Sequence, residues 1–204
     1  MTADRPGKGR SPARFWIAAG LVLLLAGALL AGRNLLEQYR ASRWSSQLLT
    51  YVEGQISAPP GDEAEPVASR EPIEEEDPWA SYEVDGILSI PDLGLRLPVL
   101  SYYEEELLSV SPCLYKGTGG DDPSRLVVAG HNYRSHFGRL GELTAGSLVS
   151  YQSLSGVVTQ YQVTGLEEID PEGEQDLMEG EWDITLLTCN LDMSKRLLVR
   201  CSRL

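Results

Sequence analysis

Cys189 closes the run Asp183-Ile-Thr-Leu-Leu-Thr-Cys and is followed by a polar turn. Most free cysteines are small buried hydrophobes. A thiol at the end of a strand is open enough to react instead, provided a base or cation helps it to become a thiolate near neutral pH. His131 stands where Leu126-Val-Val-Ala-Gly opens into a loop, so it too sits at a strand end. An imidazole can activate a thiol and later protonate a leaving amine. His136, five residues on, is the competing histidine. Beside Phe137 and Gly138, it otherwise reads as a solvated or aromatic-stacked ring. Arg196 begins the last apolar run, with six residues between it and Cys189. Its guanidinium is always charged and can hold a substrate carbonyl and the oxyanion that forms when a thiolate attacks it. Arg200 projects from the same strand face and is the alternative, or else a solvated surface charge.

These residues need short strands to carry them. Gly86-Ile-Leu-Ser-Ile-Pro and Leu95-Arg-Leu-Pro-Val-Leu are brief apolar runs bounded by turn residues. Leu126-Val-Val-Ala reads as a buried strand. Ser147-Leu-Val-Ser-Tyr and Thr159-Gln-Tyr-Gln-Val-Thr alternate, as half-buried strands do. Along Thr185 to Cys189 the period of two puts Thr185, Leu187 and Cys189 on one face. The connection Asn190 to Lys195 is short enough for the two last strands to pair as a hairpin, which brings Cys189 and Arg196 to one rim. Helical pattern is scarce, with a turn or two expected over Tyr103 to Val110. The fold class is all-β, a closed barrel or sandwich with short helices.

The chain has 204 residues and a net charge of -13. That balance offers no basic stripe to neutralise phosphates and argues against nucleic-acid binding. Phe15 to Gly32 is uncharged and long enough to span a bilayer once. Arg5, Lys8, Arg10 and Arg14 precede it, so the positive-inside rule puts residues 1–14 in the cytoplasm and the rest outside. An uncleaved transmembrane helix over 15–32 is favoured over a cleaved signal peptide. Residues 33–56 read as a juxtamembrane helix, with Leu35, Leu36, Tyr39, Trp44, Leu48, Leu49 and Val52 at near-helical spacing, and as a stalk without a specific partner. Residues 57–81 form an acidic, Pro-rich linker. The globular domain spans 82–204.

The segments Val128-Ala-Gly-His-Asn, Thr185-Leu-Leu-Thr-Cys and Arg196-Leu-Leu-Val-Arg resemble the signature of the sortases, the cell-surface cysteine transpeptidases of Gram-positive bacteria. The resemblance runs from about Gly86 to the C-terminus. It implies an eight-stranded sortase β-barrel behind an N-terminal membrane anchor. It implies Cys189 as nucleophile, His131 as general acid and Arg196 as oxyanion and substrate clamp. Thr188, Ala129 and Asn132 would contact the substrate, and neither metal nor other cofactor is needed. The expected substrates are secreted proteins with a C-terminal sorting signal of the LPxTG type. The signal is cut after Thr, and the resulting thioester is passed to an amine of a peptidoglycan precursor or of a pilin lysine. A pilin-polymerising enzyme and an inactive membrane-tethered binding module are the alternatives.

The subclass features are mixed. Asn132 after His131 and the later Phe137-Gly-Arg-Leu look like class B, but Leu166 to Trp182 is too short for that class's helical insertion. The Arg196-Leu-Leu-Val-Arg ending looks like class C, yet no membrane helix follows it. Asp77-Pro-Trp resembles the class C lid motif, with plain linker as the other reading. Cys113 and Cys201 are either core thiols or a disulfide that leaves Cys189 free. Glu104 to Glu106 and the acidic stretch Glu167 to Glu181 lack the spacing of a calcium loop and read as solvated surface.

Overall fold

The computed structural model describes residues 12–56, 79, 81–173, 176–189 and 194–204. Helix α1 runs Pro12–Ile56. Eight strands follow: β1 Val84–Ile90, β2 Leu95–Leu100, β3 Cys113–Thr118, β4 Ser124–Ala129, β5 Leu148–Ser153, β6 Val158–Ile169, β7 Ile184–Cys189 and β8 Arg196–Arg203. They close into a barrel in the order β1-β2-β3-β4-β7-β8-β6-β5. Closure leaves no exposed strand edge. The β2–β3 and β4–β7 pairs are parallel and the others antiparallel. The helical turn expected over Tyr103 to Val110 is a single 3-10 turn, Leu107–Ser109. Leu114 and Tyr115 lie inside β3.

The barrel wall is packed on two sides. Leu88, Ile90, Val99, Leu126, Val128, Tyr151, Tyr161, Val163, Ile184, Leu186, Val199 and Cys201 fill the interior. Ile87, Leu100, Cys113, Val127, Ala129, Leu187 and Leu198 face outward into a second cluster. Strands β1, β4, β7 and β8 are therefore buried on both faces, which is why Leu126-Val-Val-Ala and Leu186-Leu187 show no alternation. Strand β5, with one solvated face, alternates regularly.

The chain divides into two compact units, residues 1–37 and 38–204. In the second unit, the helix half after Gln38 is not a free stalk. Ala41, Ser45, Leu48 and Val52 are buried, at spacings of four, three and four that set them on one helix face. Leu48 and Val52 join the outer cluster with Ile87, Leu100 and Val110. Ser45 and Ser111 share a hydrogen bond of 3.3 Å, and Glu53 pairs with Arg96 at 2.7 Å. The stripe expected from the sequence included Tyr39 and Trp44, which are exposed. Small residues at 41 and 45 mark the true contact face, because they let the helix backbone approach the barrel. In the first unit, the apolar run is part of a helix long and apolar enough to cross a membrane.

Cys113 and Cys201 are not disulfide-bonded. They lie on opposite sides of the wall, Cys113 in the outer cluster and Cys201 inside. Burial pushes both thiols up to about 12, so they are inert core groups. Apart from Trp79 and Ser81, the acidic linker lies outside the described residues, and with it Asp77 and Pro78. Trp79 packs partly buried against the outer cluster, its ring 6.0 Å from that of Tyr82.

Candidate active site

Strand register brings three of the expected residues to one rim. In the parallel β4–β7 pair, Ala129 faces Leu187. The Gly130 N–H continues the ladder by donating to the Leu187 carbonyl at 2.9 Å. The Thr188 hydroxyl donates back to the Gly130 carbonyl at 2.8 Å. One step further along each chain stand His131 and Cys189. In the antiparallel β7–β8 pair, Cys189 and Arg196 are direct partners, so their side chains leave the same face of the sheet. His131, Cys189 and Arg196 thus occupy the ends of β4 and β7 and the start of β8.

The surrounding charges are consistent with this convergence. Tyr103, in the β2–β3 connection, is within electrostatic reach of Glu105, Arg196 and Cys189. Its ring meets that of Tyr115 edge-on at 4.8 Å. Burial pushes the His131 imidazole below its ordinary value, and the Glu105 carboxylate opposes that shift. Cys189 is half-buried, unlike the two core thiols. Glu105 is exposed, as expected of an acidic surface residue, but its charge bears on the histidine. Only the folded β2–β3 connection reveals that role. Among the described residues no cluster of His, Cys, Asp or Glu is arranged to hold a metal ion.

Two concavities flank the Cys189–Arg196 pair. A groove of about 770 Å³ is lined by Phe137, Leu166, Leu197, Thr188 and Cys189, with Arg134, Glu168 and the Arg139–Glu142 pair among its charged residues. A smaller cavity of about 100 Å³ is lined by Tyr115, Ile169, Pro171, Glu172, Leu177 and Arg196. Of the residues expected to contact substrate, Thr188 lines the groove, while its hydroxyl is engaged by Gly130. Ala129 is buried in the outer wall, two residues before His131, and Asn132 is half-buried in the loop after it.

The competing residues are elsewhere. His136 is fully buried, so of the two expected environments it has the aromatic one, its ring 5.8 Å from that of Tyr133, and not the solvated one. Neither of its ring nitrogens has a hydrogen-bond partner. Burial first, and the nearby His131 second, push it down to about 4; the Ala41 carbonyl opposes this without reaching hydrogen-bond geometry. A neutral, enclosed imidazole is poorly suited to proton transfer near pH 7. Arg200 is no surface charge either. It is 6% exposed, donates to the Leu177 carbonyl at 2.8 Å and to Thr185 Oγ1 at 3.0 Å, and pairs with Glu167 at 3.3 Å. Its register partner on β7 is Thr185, four residues back from Cys189.

A family model for the sortase domain matches residues 88–204. The chain belongs to the sortase family. Sortases are cysteine transpeptidases, which agrees with a half-buried thiol at a strand end. Solved sortase structures resemble the chain. Sortase C1 from Streptococcus agalactiae is 28% identical with a TM-score of 0.50, covering 58% of this chain and 66% of that one. Sortase C-1 from Streptococcus pneumoniae is 29% identical with a TM-score of 0.53, covering 60% and 67%. Sortase C1 of GBS Pilus Island 1 is 26% identical with a TM-score of 0.52, covering 83% of each chain. The chain therefore spans just under two thirds of the first of these and more of the others. No curated protein matches the sequence. These neighbours are sortase C family members.

Proposed function

We propose that the chain is a membrane-anchored transpeptidase that cuts the C-terminal sorting signal of secreted proteins. In this reading the Cys189 thiolate attacks the Thr carbonyl of an LPxTG-like signal. The Arg196 guanidinium stabilises the oxyanion. As the carbon–nitrogen bond breaks, His131 gives its proton to the leaving amine, and the upstream protein remains as a thioester on Cys189. An incoming amine then attacks the thioester carbonyl, returns a proton to His131, and releases Cys189 as thiolate. Thr188 and Asn132 shape the substrate surface around the thiol, and Ala129, buried in the wall behind them, backs that surface without touching the substrate. The acceptor is an amine of the cell wall, with the N-terminus cytoplasmic and the barrel outside.

The observation that supports the reading is the pairing of Cys189 with Arg196, next to the β4 end after which His131 stands. A second reading, joining pilin subunits through a lysine, is favoured by the likeness to the sortase of a pilus island. An inactive binding module would leave the three positions without a task. The test is cleavage of a fluorogenic Leu-Pro-Glu-Thr-Gly peptide, with mass spectrometry of the trapped thioester. Wild type should cleave it and carry the acyl group on Cys189, and Cys189→Ala should do neither. Cleavage that survives Cys189→Ala would remove the mechanism. Transfer to a lysine side-chain amine in preference to peptidoglycan amines would select the pilin reading.

A further inference from the structure

Four successive carbonyls between β6 and β7 are held by side chains rather than by backbone. Arg200 donates to Leu177, Arg125 to Met178, the Trp182 indole to Glu179 at 2.6 Å, and Arg125 again to Gly180 at 3.0 Å. Both guanidinia also lie over the Trp182 ring, Arg125 at 4.4 Å and Arg200 at 4.9 Å from its centre. These carbonyls follow or end the 3-10 turn Asp176–Met178, where no further helical N–H is available to them. Arg125 does this from a strained position. Its φ of 46° is the only positive value at a non-glycine residue among those described. Such a backbone persists only where its surroundings hold it there.

What the captured segment builds is the reason to ask why. Leu177 is buried, and with Ile169, Pro171 and Glu172 it walls the small cavity whose remaining side is Arg196 and Tyr115. Arg196 is the direct partner of Cys189. The position of the 177–180 backbone therefore fixes the space beside the guanidinium that, in the function proposed above, holds the scissile carbonyl.

We infer that Arg125, Trp182 and Arg200 form a clip that positions this wall, and so sets which acyl-donor side chain fits next to Arg196. They are positioning residues for the donor peptide and take no part in the bond-making steps. Arginine suits the task because one planar group can donate to several carbonyls and stack on an indole at once; lysine cannot do both. The inference rests on the transpeptidase reading for its substrate, though the geometry of the clip does not depend on it.

The experiment compares wild type with Arg125→Lys, Trp182→Phe and Arg200→Lys in the full chain in detergent. Two readouts are taken. The first is KM and kcat for the Leu-Pro-Glu-Thr-Gly peptide. The second is the ratio of Cys189 alkylation by N-phenylmaleimide to that by iodoacetamide, read at Cys189 by mass spectrometry. We expect KM to rise about tenfold with kcat within threefold. We also expect the ratio to rise at least threefold as the wall loosens and admits the bulkier reagent. The small reagent should react at the wild-type rate. Unchanged KM and ratio in folded variants, with only a lower Tm, would reduce the clip to a structural feature and overturn the inference. So would a fall in kcat with KM unchanged. Arg125→Lys and Trp182→Phe keep the test decisive if the buried Arg200 variant fails to fold. If wild type does not cleave the peptide, the function proposed above fails on that probe, and the alkylation ratio still judges the clip.

Discussion

Two histidines five residues apart have opposite environments. His131 is half-exposed at the rim, with an acidic neighbour that raises its proton affinity against the effect of burial. His136 is enclosed and neutral. His131→Ala is expected to lower kcat/KM for the signal peptide by a factor of about 100 or more, as loss of a general acid does. His136→Asn should cost far less activity per folded molecule, and equal losses would refute the assignment. Glu105 allows a finer test. Its carboxylate raises the His131 pKa, so Glu105→Gln should lower it. The limb of the kcat/KM profile that follows the His131 imidazolium is then expected to move to lower pH. A limb that stays in place would separate Glu105 from the reacting histidine. The same contrast holds for the arginines. Arg196→Ala should abolish cleavage and leave folding intact, because that side chain is half-exposed and Arg200 is the one built into the packing.

At the scale of elements, the helix half 38–56 and the loop after β4 are packed into one unit, and two stability predictions follow from it. Leu48 is fully buried in the outer cluster, so Leu48→Ala should destabilise the barrel unit by roughly 2–4 kcal/mol in thermal or urea unfolding. A change near zero would mean that the helix is a stalk after all. His136 makes the stability pH-dependent. Its folded pKa of about 4 lies below its ordinary 6.5, so between those values the unfolded chain binds more protons. Stability is complete above about pH 6.5, falls as the pH drops towards 4, and levels off below. The loss is roughly 3 kcal/mol from this group. His131, shifted the same way, adds to the slope. His136→Leu should flatten most of the fall in Tm across that window, and an unchanged slope would place the titrating group elsewhere.

For the whole molecule, the family and the barrel account for residues 88–204, and the apolar part of α1 accounts for a candidate membrane anchor. The full chain is expected to stay in the membrane pellet after carbonate washing. A membrane-impermeant maleimide added to intact cells should label Cys189, the one half-buried thiol, and not Cys113 or Cys201. Labelling only after lysis would reverse the orientation proposed here.

The amino-acid sequence alone determined the nucleophile candidate, the hairpin that pairs Cys189 with Arg196, the all-β class and the apolar run near the N-terminus. Each is a local matter: strand period, turn length, a single charge-free stretch. Position at a strand end favoured His131, and the resemblance to sortases chose the eight-stranded barrel over a sandwich. Tertiary structure decided what depends on contacts between distant segments. Helix 38–56 looked like a stalk because half of its contact face is Ala41 and Ser45, which give no hydrophobic signal until a barrel lies against them. Arg200 looked like a solvated charge because strand alternation cannot show that Trp182 and the 177–180 backbone close over it. Cys113 and Cys201 were eligible to pair until the barrel wall set them on opposite sides. The sequence pattern records which faces are apolar, and only the closed barrel decides what each face meets.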